Sequence, residues 1–461
     1  MSTDTAQSLL GPDSALLGLR TAPFGHASRE PLTLVDLAAI SPELRAGLAR
    51  VATVWAESRA STPLHECLEM DPRAGKGGVS LSAGGDCRMR FNDSEMEVWD
   101  RFNTRALWGD ACELYFKLAM RAEGADQAML GSLAFERDIY RRLTETMIAG
   151  RQTPHVVMCA CVLVGVMAPD SIGGDPSTMR PSEVTAHARV FRSIGAHADT
   201  PRTCDVLLLE KIQGVSLREF STSLKTNEAA IKAMPELSFQ LMYTLSCLQT
   251  HQIRHNDLHL RNIYVQELTR PVYIRYTLTT KDRKKVSYDL VSKYVIKLFD
   301  FDRAAMKGAE NPLLVENGAA CMLYGQCNNV SPHGKTDMLQ ALYSLKDLGG
   351  AAANIKKLWD GKDAPFHTFL SDSRVVDYYL PRYGKHMRCY NEDYDGDAAK
   401  IEFKKETRDM KMVCDQMPLA VKQLLPSFHR VLDVLKSTCE QVTAGNSPEF
   451  YFETEYIEPS T

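Results

Sequence analysis

Residues 255–262 read His-Asn-Asp-Leu-His-Leu-Arg-Asn, and residues 300–302 read Asp-Phe-Asp directly after an apolar run. Asp257 and Asn262 lie five positions apart, after a segment with helical periodicity and before a segment of strand type. In a tight loop, this spacing lets a carboxylate face an acceptor hydroxyl while the amide oxygen holds a metal ion. Asp300 ends an apolar strand, where a carboxylate beside a phosphate is a natural magnesium ligand. These two segments decide the predicted fold.

Bulk composition indicates a globular chain and excludes several classes of protein. The chain has 461 residues, of which 44% are hydrophobic and 24% charged, so global disorder is excluded. The formal net charge of −4 provides no basic surface for nucleic acid or for an acidic membrane. The 12 cysteines include no Cys-x-x-Cys pair and are expected to be reduced thiols.

No targeting or membrane segment is visible in the sequence. The N-terminus lacks a basic segment followed by an apolar one, as a secretory signal requires. The longest apolar run, 156–168, is too short to span a bilayer and is typical of a buried strand. We therefore expect a soluble intracellular protein.

The first half of the chain is predicted to be rich in strands. Residues 1–35 have the composition of a loose tail, and Ser41 and Pro42 predict the start of a helix that runs to about residue 58. The glycines in 71–86 predict a loop. Further elements follow from hydrophobic periodicity, with a helix over 132–147 and strands over 113–120, 155–168 and 204–212.

The second half is predicted to be mostly helical. A helix starts at Pro235, and two short strands flank a polar segment whose run 281–285 is expected to be a solvated hairpin tip. The remaining predicted elements are strands over 261–267 and 293–299 and helices over 335–348 and 411–440. The pattern favours an α+β chain with two lobes, a strand-rich N-lobe and a helical C-lobe.

These motifs together resemble the signature of the protein kinase superfamily. The resemblance covers roughly residues 70–440. It implies that Lys117 is the strand lysine that holds the ATP phosphates and that Glu136 is its ion-pair partner on the next helix. It further implies that Asp257 orients the acceptor hydroxyl, while Asn262 and Asp300 bind magnesium.

Three further residues acquire expected roles from the same resemblance. The backbone carbonyl of Glu210 and the amide of Ile212 would bond adenine at the hinge between the lobes. Asp337 resembles a buried aspartate that braces the catalytic loop through backbone amides. More narrowly, the two deciding segments resemble the serine/threonine kinases of large nucleocytoplasmic DNA viruses, which would place the protein in the host cytoplasm or the virion.

The glycine-rich loop of the family departs most clearly from its usual pattern. Gly75, Gly77 and Gly78 are the candidates for covering the phosphates, but they lie about forty residues before Lys117, roughly twice the usual spacing. Either residues 86–110 are an insertion in the sheet, or the loop over the phosphates lacks glycines.

Four further departures affect regulation and the acceptor. Asn256 replaces an arginine that reads a phosphorylated activation loop, so activity is not expected to depend on such phosphorylation. His259 stands where serine/threonine kinases carry lysine, as in small-molecule kinases, although Arg261 could supply the missing cation. Asp302 replaces a glycine, and no Ala-Pro-Glu motif follows.

The resulting expectation is a two-lobed, protein-kinase-like α+β fold. Residues 1–70 would be a tail and helical extension, 71–212 the N-lobe and 213–461 the C-lobe. The expected function is ATP- and magnesium-dependent phosphorylation of serine or threonine in a protein substrate. Two alternatives stay open: a pseudokinase that binds partners or nucleotide without turnover, and a small-molecule kinase of the aminoglycoside or choline type.

Overall fold

The computed structural model describes residues 34–59, 62–70, 82–91, 113–121, 127–167, 203–279, 285–312, 337 and 449–455. The helices are α1 Leu34–Ile40, α2 Pro42–Glu57, α3 Leu64–Cys67, α4 Gln127–Arg142, a π-helix Leu143–Ile148, α5 Leu217–Ser223 and α6 Asn227–Thr250. The strands are β1 Leu68–Met70, β2 Ser82–Met89, β3 Glu113–Arg121, β4 Cys159–Met167, β5 Thr203–Glu210, β6 Gly214–Ser216, β7 Ile253–Arg254, β8 Ile263–Thr279, β9 Lys285–Leu298, β10 Ala305–Met306 and β11 Glu449–Glu455.

The described residues form an α+β chain with antiparallel sheets, divided into two compact units. The first unit takes its described residues from 1–150 and 157–213, and the second from 151–156 and 214–461. Residues 34–70, which we had assigned to a separate extension, belong to the first unit. No helix in the described part of the chain is long and apolar enough to cross a membrane.

A five-stranded antiparallel sheet, ordered β1-β2-β3-β5-β4, forms the first unit. Strand β3 is central, and alternate side chains along it, Leu114, Phe116 and Leu118, are buried. The predicted helix at Ser41 is confirmed: the Ser41 hydroxyl accepts a hydrogen bond from the Leu44 amide at 3.2 Å, and Pro42 takes the first helical position. Helix α2 packs against β4 and the π-helix.

Our prediction of a loop over 71–86 is wrong from residue 82 onward, because strand β2 begins there. Its backbone pairs along β3, with Gly84 opposite Lys117 and Gly85 opposite Phe116. A Cβ on Gly84 would lie 2.6 Å from the Tyr115 hydroxyl and 3.1 Å from the Phe116 carbonyl oxygen. Gly84 therefore lies where its neighbours come too close for a side chain, which is a common reason for a glycine inside a strand.

Helix α6 corrects the predicted start at Pro235, since it begins at Asn227, where the Thr226 hydroxyl accepts a hydrogen bond from the Ala229 amide at 3.2 Å. A proline within a helix removes one backbone hydrogen bond without ending the helix when packing sustains it. The predicted apolar face is buried: Leu237, Leu241, Leu245 and Leu248.

A long hairpin dominates the described part of the second unit. It confirms the predicted strands over 261–267 and 293–299, but our prediction of a polar connection is wrong for residues 268–279 and 285–292, which continue these strands. Strands β8 and β9 pair from Ile263 with Leu298 to Thr279 with Lys285, with a register shift between Glu267 and Val272. Burial alternates along β8, where Val272, Ile274 and Tyr276 face the core. This period-2 pattern was present in the residues that we had taken as a polar connection. The predicted helices over 335–348 and 411–440 lie outside the described residues, Asp337 excepted.

Strand β11 adds the end of the described chain to this sheet. It pairs with β8 from Glu449 opposite Thr279 to Glu455 opposite Tyr273. Phe452 is buried, and its amide donates a 2.8 Å hydrogen bond to the Arg151 carbonyl. Strand β11 therefore joins parts of the second unit that lie about 300 positions apart in the sequence.

Phe452→Ala should lower the free energy of unfolding by about 3–5 kcal/mol, because it removes a large side chain from the core and leaves a cavity. Denaturant unfolding of the full chain measures the change. Val291→Thr is the matched control on the same sheet, since Val291 is 51% exposed and should shift stability by only about 0.5 kcal/mol. Equal effects of the two substitutions would contradict the docking of β11.

A capping box at the start of α5 connects stability to pH. The Ser216 hydroxyl and backbone amide donate to the Glu219 carboxylate at 2.8 Å and 3.0 Å, and these bonds lower the pKa of Glu219. Because the folded pKa is the lower one, the stabilisation is present above the unfolded pKa of about 4.3 and is lost as pH falls through the folded pKa.

Glu219→Gln should therefore be less stable than wild type at pH 7, and the difference should shrink as the pH falls below about 4. Thermal unfolding across pH 3–7 tests the effect. A stability difference that grows in acid would show that the carboxylate does not act through this cap.

Candidate active site

The loop 255–262 connects β7 to β8 and is fixed by its own polar groups. The Asn262 side-chain amide donates a 3.0 Å hydrogen bond to the carbonyl oxygen of Asp257, which ties the two ends of the motif together. The Phe299 amide donates to the Asn262 carbonyl at 3.0 Å, so the loop is also attached where β9 ends. With its amide nitrogen committed, Asn262 has its amide oxygen as the group suited to a metal ion.

Asp337 holds the start of this loop. Its carboxylate is buried and accepts hydrogen bonds from the His255 amide at 2.6 Å and the Asn256 amide at 2.9 Å. Two buried backbone donors and a buried carboxylate thereby satisfy one another, although each alone would be costly to bury. The prediction that Asp337 braces the loop through backbone amides is confirmed.

His255 has a structural position. Its Nε2 lies 2.9 Å from the Phe299 carbonyl oxygen and its Nδ1 lies 3.4 Å from the Asp257 amide nitrogen. A carbonyl can only accept and an amide can only donate, so the neutral ring with its proton on Nε2 satisfies both contacts. The ring also packs on Phe301 at 4.5 Å between centroids. Both nitrogens are thus engaged with the backbone.

Asp257 is mostly enclosed, with 14% of its side chain exposed, and two cationic or titratable groups lie near its Oδ2. His259 Nε2 is 3.8 Å away and Arg303 Nε is 3.9 Å away. Arg303 was not among the predicted site residues. Its position directly after Asp-Phe-Asp was the available signal, but only the fold shows which carboxylate it approaches.

Two residues of the site have backbone conformations that side chains rarely adopt. Asn256 has φ 63° and Asp300 has φ 70°, in the left-handed region that asparagine and aspartate tolerate best. Such conformations cost free energy and cluster at functional sites, where the surrounding structure enforces them. Here they turn the chain sharply beside Asp257 and at the end of β9.

Asn256 replaces a phosphate-reading arginine of the resembled family, and the structure shows what it contacts instead. Its side-chain amide donates a 3.1 Å hydrogen bond to the Arg303 carbonyl. Asn311 donates similarly to the carbonyls of Asp302 and Ala304, at 2.8 Å and 2.9 Å. Neutral amides therefore hold the backbone of residues 302–304 in place.

The first unit contains the predicted ion pair. Lys117 Nζ on β3 lies 2.5 Å from Glu136 Oε1 on α4, and their side chains are only 12% and 4% exposed. A buried ion pair is weak evidence for stability, because apolar replacements often serve as well. A charge held at the middle of a sheet is more readily explained by the need to bind an anion.

Gly84 lies directly opposite Lys117, and Leu207 is opposite on the other side. Directly paired residues point to the same face of a sheet, and on this face the Tyr115 hydroxyl takes the space that a side chain at Gly84 would need. We had not singled out Gly84, because the prediction placed it in a loop.

The predicted hinge begins where β5 ends. Glu210 is the last strand residue, and its amide donates to the Met158 carbonyl at 3.0 Å. Lys211 contacts Glu113 at 2.9 Å and Asp86 at 3.3 Å. Burial acts to lower the pKa of Lys211, but these carboxylates outweigh it and raise the pKa, while the Lys211 hydrogen bond lowers the pKa of Glu113. Ile212 follows in irregular backbone.

The glycine candidates Gly75, Gly77 and Gly78 lie outside the described residues. The strands on either side are described, and β1 pairs with β2 in antiparallel fashion, so residues 71–81 connect two neighbouring strands. The extra length before Lys117 lies largely in residues 90–112, between the end of β2 and the start of β3. Residues 86–89, which we had included in the expected insertion, belong to β2, and 92–110 lie outside the described residues.

Comparison with known proteins shows no close relative. No family model matches the chain, and no curated protein matches it. A crystal structure of a kinase domain is similar over 80% of this chain and 92% of that one, with 14% identity and a TM-score of 0.33. Likeness at this level decides nothing about activity, which has to be inferred from the chain's own residues.

Asp337→Asn should weaken the brace of the loop, because an amide oxygen can replace only one of the two charge-assisted hydrogen bonds. We expect a loss of about 1.5–3 kcal/mol in the free energy of unfolding. Hydrogen exchange should also accelerate at the amides of His255 and Asn256. Unchanged protection of those two amides would contradict the assignment of Asp337 as their acceptor.

Proposed function

We propose that this chain is an ATP- and magnesium-dependent protein kinase that transfers the γ-phosphate to serine or threonine in a protein. The observation that carries the proposal is the loop in which Asn262 is bonded to Asp257 while buried Asp337 holds the two preceding amides. Phosphoryl transfer requires positioning and charge more than covalent chemistry, and this loop positions a carboxylate and an amide oxygen.

The second unit would supply the acceptor and metal functions. Asp257 orients the acceptor hydroxyl and takes its proton, and its partly enclosed position beside β9 suits that role. Asn262 and Asp300 are a fitting donor set for Mg²⁺, which is usually held by one or two protein oxygens together with substrate phosphates. ATP would supply the phosphoryl group, and magnesium would neutralise the negative charge that develops during the transfer. Arg303 adds positive charge near Asp257, and the His259 ring lies at a similar distance.

The first unit would hold the nucleotide. Lys117, fixed by Glu136, is placed to bind the α- and β-phosphates. The backbone of Glu210 and Ile212 would bond adenine, and Gly75, Gly77 and Gly78 would cover the phosphates. These roles follow from the family resemblance, and the geometry around Lys117 and Glu210 supports them.

The surface beside the loop favours a peptide over a cationic metabolite as acceptor. An open groove of about 660 Å³ borders Arg261 and is lined also by Arg218, Glu219 and Tyr264. Its charged residues are two arginines and one glutamate, so it is not the acidic pocket that a cationic small molecule needs. The resemblance to viral serine/threonine kinases rests on the sequence of the two motifs and stays a prediction.

Asp257→Asn should abolish most transfer of labelled phosphate from ATP to a mixed protein substrate. Removing a catalytic base costs roughly 10²–10⁴-fold in rate. Asp138→Asn is the matched control, because Asp138 is a 42% exposed aspartate on α4 of the first unit. Its rate should equal that of wild type.

Two results of this assay would contradict the proposal. If wild type transfers no phosphate but ATP and magnesium raise its melting temperature, the chain is a nucleotide-binding pseudokinase. If it phosphorylates a small hydroxyl compound and no protein, the acceptor assignment is wrong.

Asp300→Asn tests the metal role without disturbing the backbone, since asparagine also tolerates positive φ. We expect the magnesium concentration needed for half-maximal transfer to rise by at least about tenfold. Tenfold is the lower end of the loss in metal affinity seen when a residue that only supports a metal ligand is changed. The melting temperature without ligand should be maintained. An unchanged magnesium requirement would remove Asp300 from the metal site.

A further inference from the structure

Arg45 and Glu210 form a buried, two-point ion pair within the first unit. Arg45 Nη2 lies 2.8 Å from Glu210 Oε1, and Arg45 Nε donates to Glu210 Oε2 at 3.0 Å. The side chains are 1% and 14% exposed. Arg45 lies in the first turns of α2, and Glu210 is the last residue of β5, 165 positions later.

The pair contributes position more than stability. Desolvating two charges costs about as much as their attraction returns, so an apolar pair of similar volume would be equally stable or more so. The parallel hydrogen bonds of a guanidinium and a carboxylate, however, fix both distance and direction. Arg45 thus specifies where the end of β5 lies relative to α2.

Helix α2 is itself held firmly enough to act as a reference. The Trp55 indole N–H donates a 3.2 Å hydrogen bond to the Arg90 carbonyl just after β2, and the apolar face of the helix packs on β4 and the π-helix. At the other end, Arg45 holds Glu210. The helix therefore spans from the segment after β2 to the start of the 210–212 segment.

Anchors on two successive residues converge on that segment. The Glu210 amide donates to Met158 and its carboxylate is held by Arg45, while Lys211 is held by Glu113 and Asp86. Their side chains contact different elements, which leaves the backbone of residues 210–212 little freedom. A backbone that recognises a flat ring through a carbonyl and an amide needs this kind of preorganisation.

We propose that Arg45 is a positioning residue for the nucleotide: by holding Glu210 it presets the 210–212 backbone that bonds adenine. Helix α2 is then part of the nucleotide-binding unit, and a chain lacking it binds ATP more weakly. The inference rests on the proposed function for its ligand, but the positioning itself is measurable without any turnover.

The double variant Arg45→Met/Glu210→Leu tests the inference in the full chain. Both charges of the pair are removed together, which avoids leaving either one without the other, and the melting temperature should stay within about 2 °C of wild type. Hydrogen exchange over residues 208–212 should accelerate, and the dissociation constant of ATP with magnesium should rise at least about fivefold.

Two further variants complete the design. Arg141→Met/Glu145→Leu is the matched control, an ion pair of the same unit that is 65% and 67% exposed, and it should alter neither measurement. Arg45→Lys keeps the charge but loses the two-point geometry, so it should weaken ATP binding in part even if the double variant proves unstable.

The outcomes separate the inference from the proposed function. Unchanged exchange at 208–212 in a folded double variant, or unchanged ATP binding in both Arg45 variants, would overturn the inference. If exchange accelerates but wild type itself does not bind ATP, the positioning role is supported and the proposed function fails.

Discussion

The carboxylate of Asp337 is the constraint on which the candidate active site depends. It accepts hydrogen bonds from two successive amides, those of His255 and Asn256, at the point where the chain turns into the loop. Asn256 has φ 63°, a conformation that the local sequence alone would rarely adopt. A buried carboxylate that accepts from both amides offsets that cost and fixes the turn directly before Asp257. The proposed roles of the loop depend on this fixed turn.

The rest of the loop is held by neutral hydrogen bonds. Asn262 bonds to Asp257, Asn256 to Arg303 and His255 to Phe299, each through a backbone carbonyl. Salt weakens these neutral hydrogen bonds less than it weakens exposed ion pairs. The described residues after Asp300 are therefore held by hydrogen bonds within the chain.

Local signals allowed much of the site to be predicted from sequence. The N-cap at Ser41, the spacing of Lys117 and Glu136, and the motif at 255–262 each report on a few neighbouring residues, and the structure contains the corresponding elements. Long-range pairings had no such signal. The bond between Arg45 and Glu210 and the docking of β11 on β8 join residues far apart in the chain, which periodicity cannot reveal. The full length of the hairpin strands was not predicted, because their exposed face is polar enough to resemble a loop.

The most direct test of the account is a crystal structure of the full chain with magnesium and a non-hydrolysable ATP analogue. The account predicts a metal ion about 2.0–2.1 Å from the amide oxygen of Asn262 and from a carboxylate oxygen of Asp300, with phosphate oxygens completing its coordination. Lys117 would then contact the α- or β-phosphate. A nucleotide bound elsewhere, or a metal that touches neither Asn262 nor Asp300, would contradict the assignment of this loop to phosphoryl transfer.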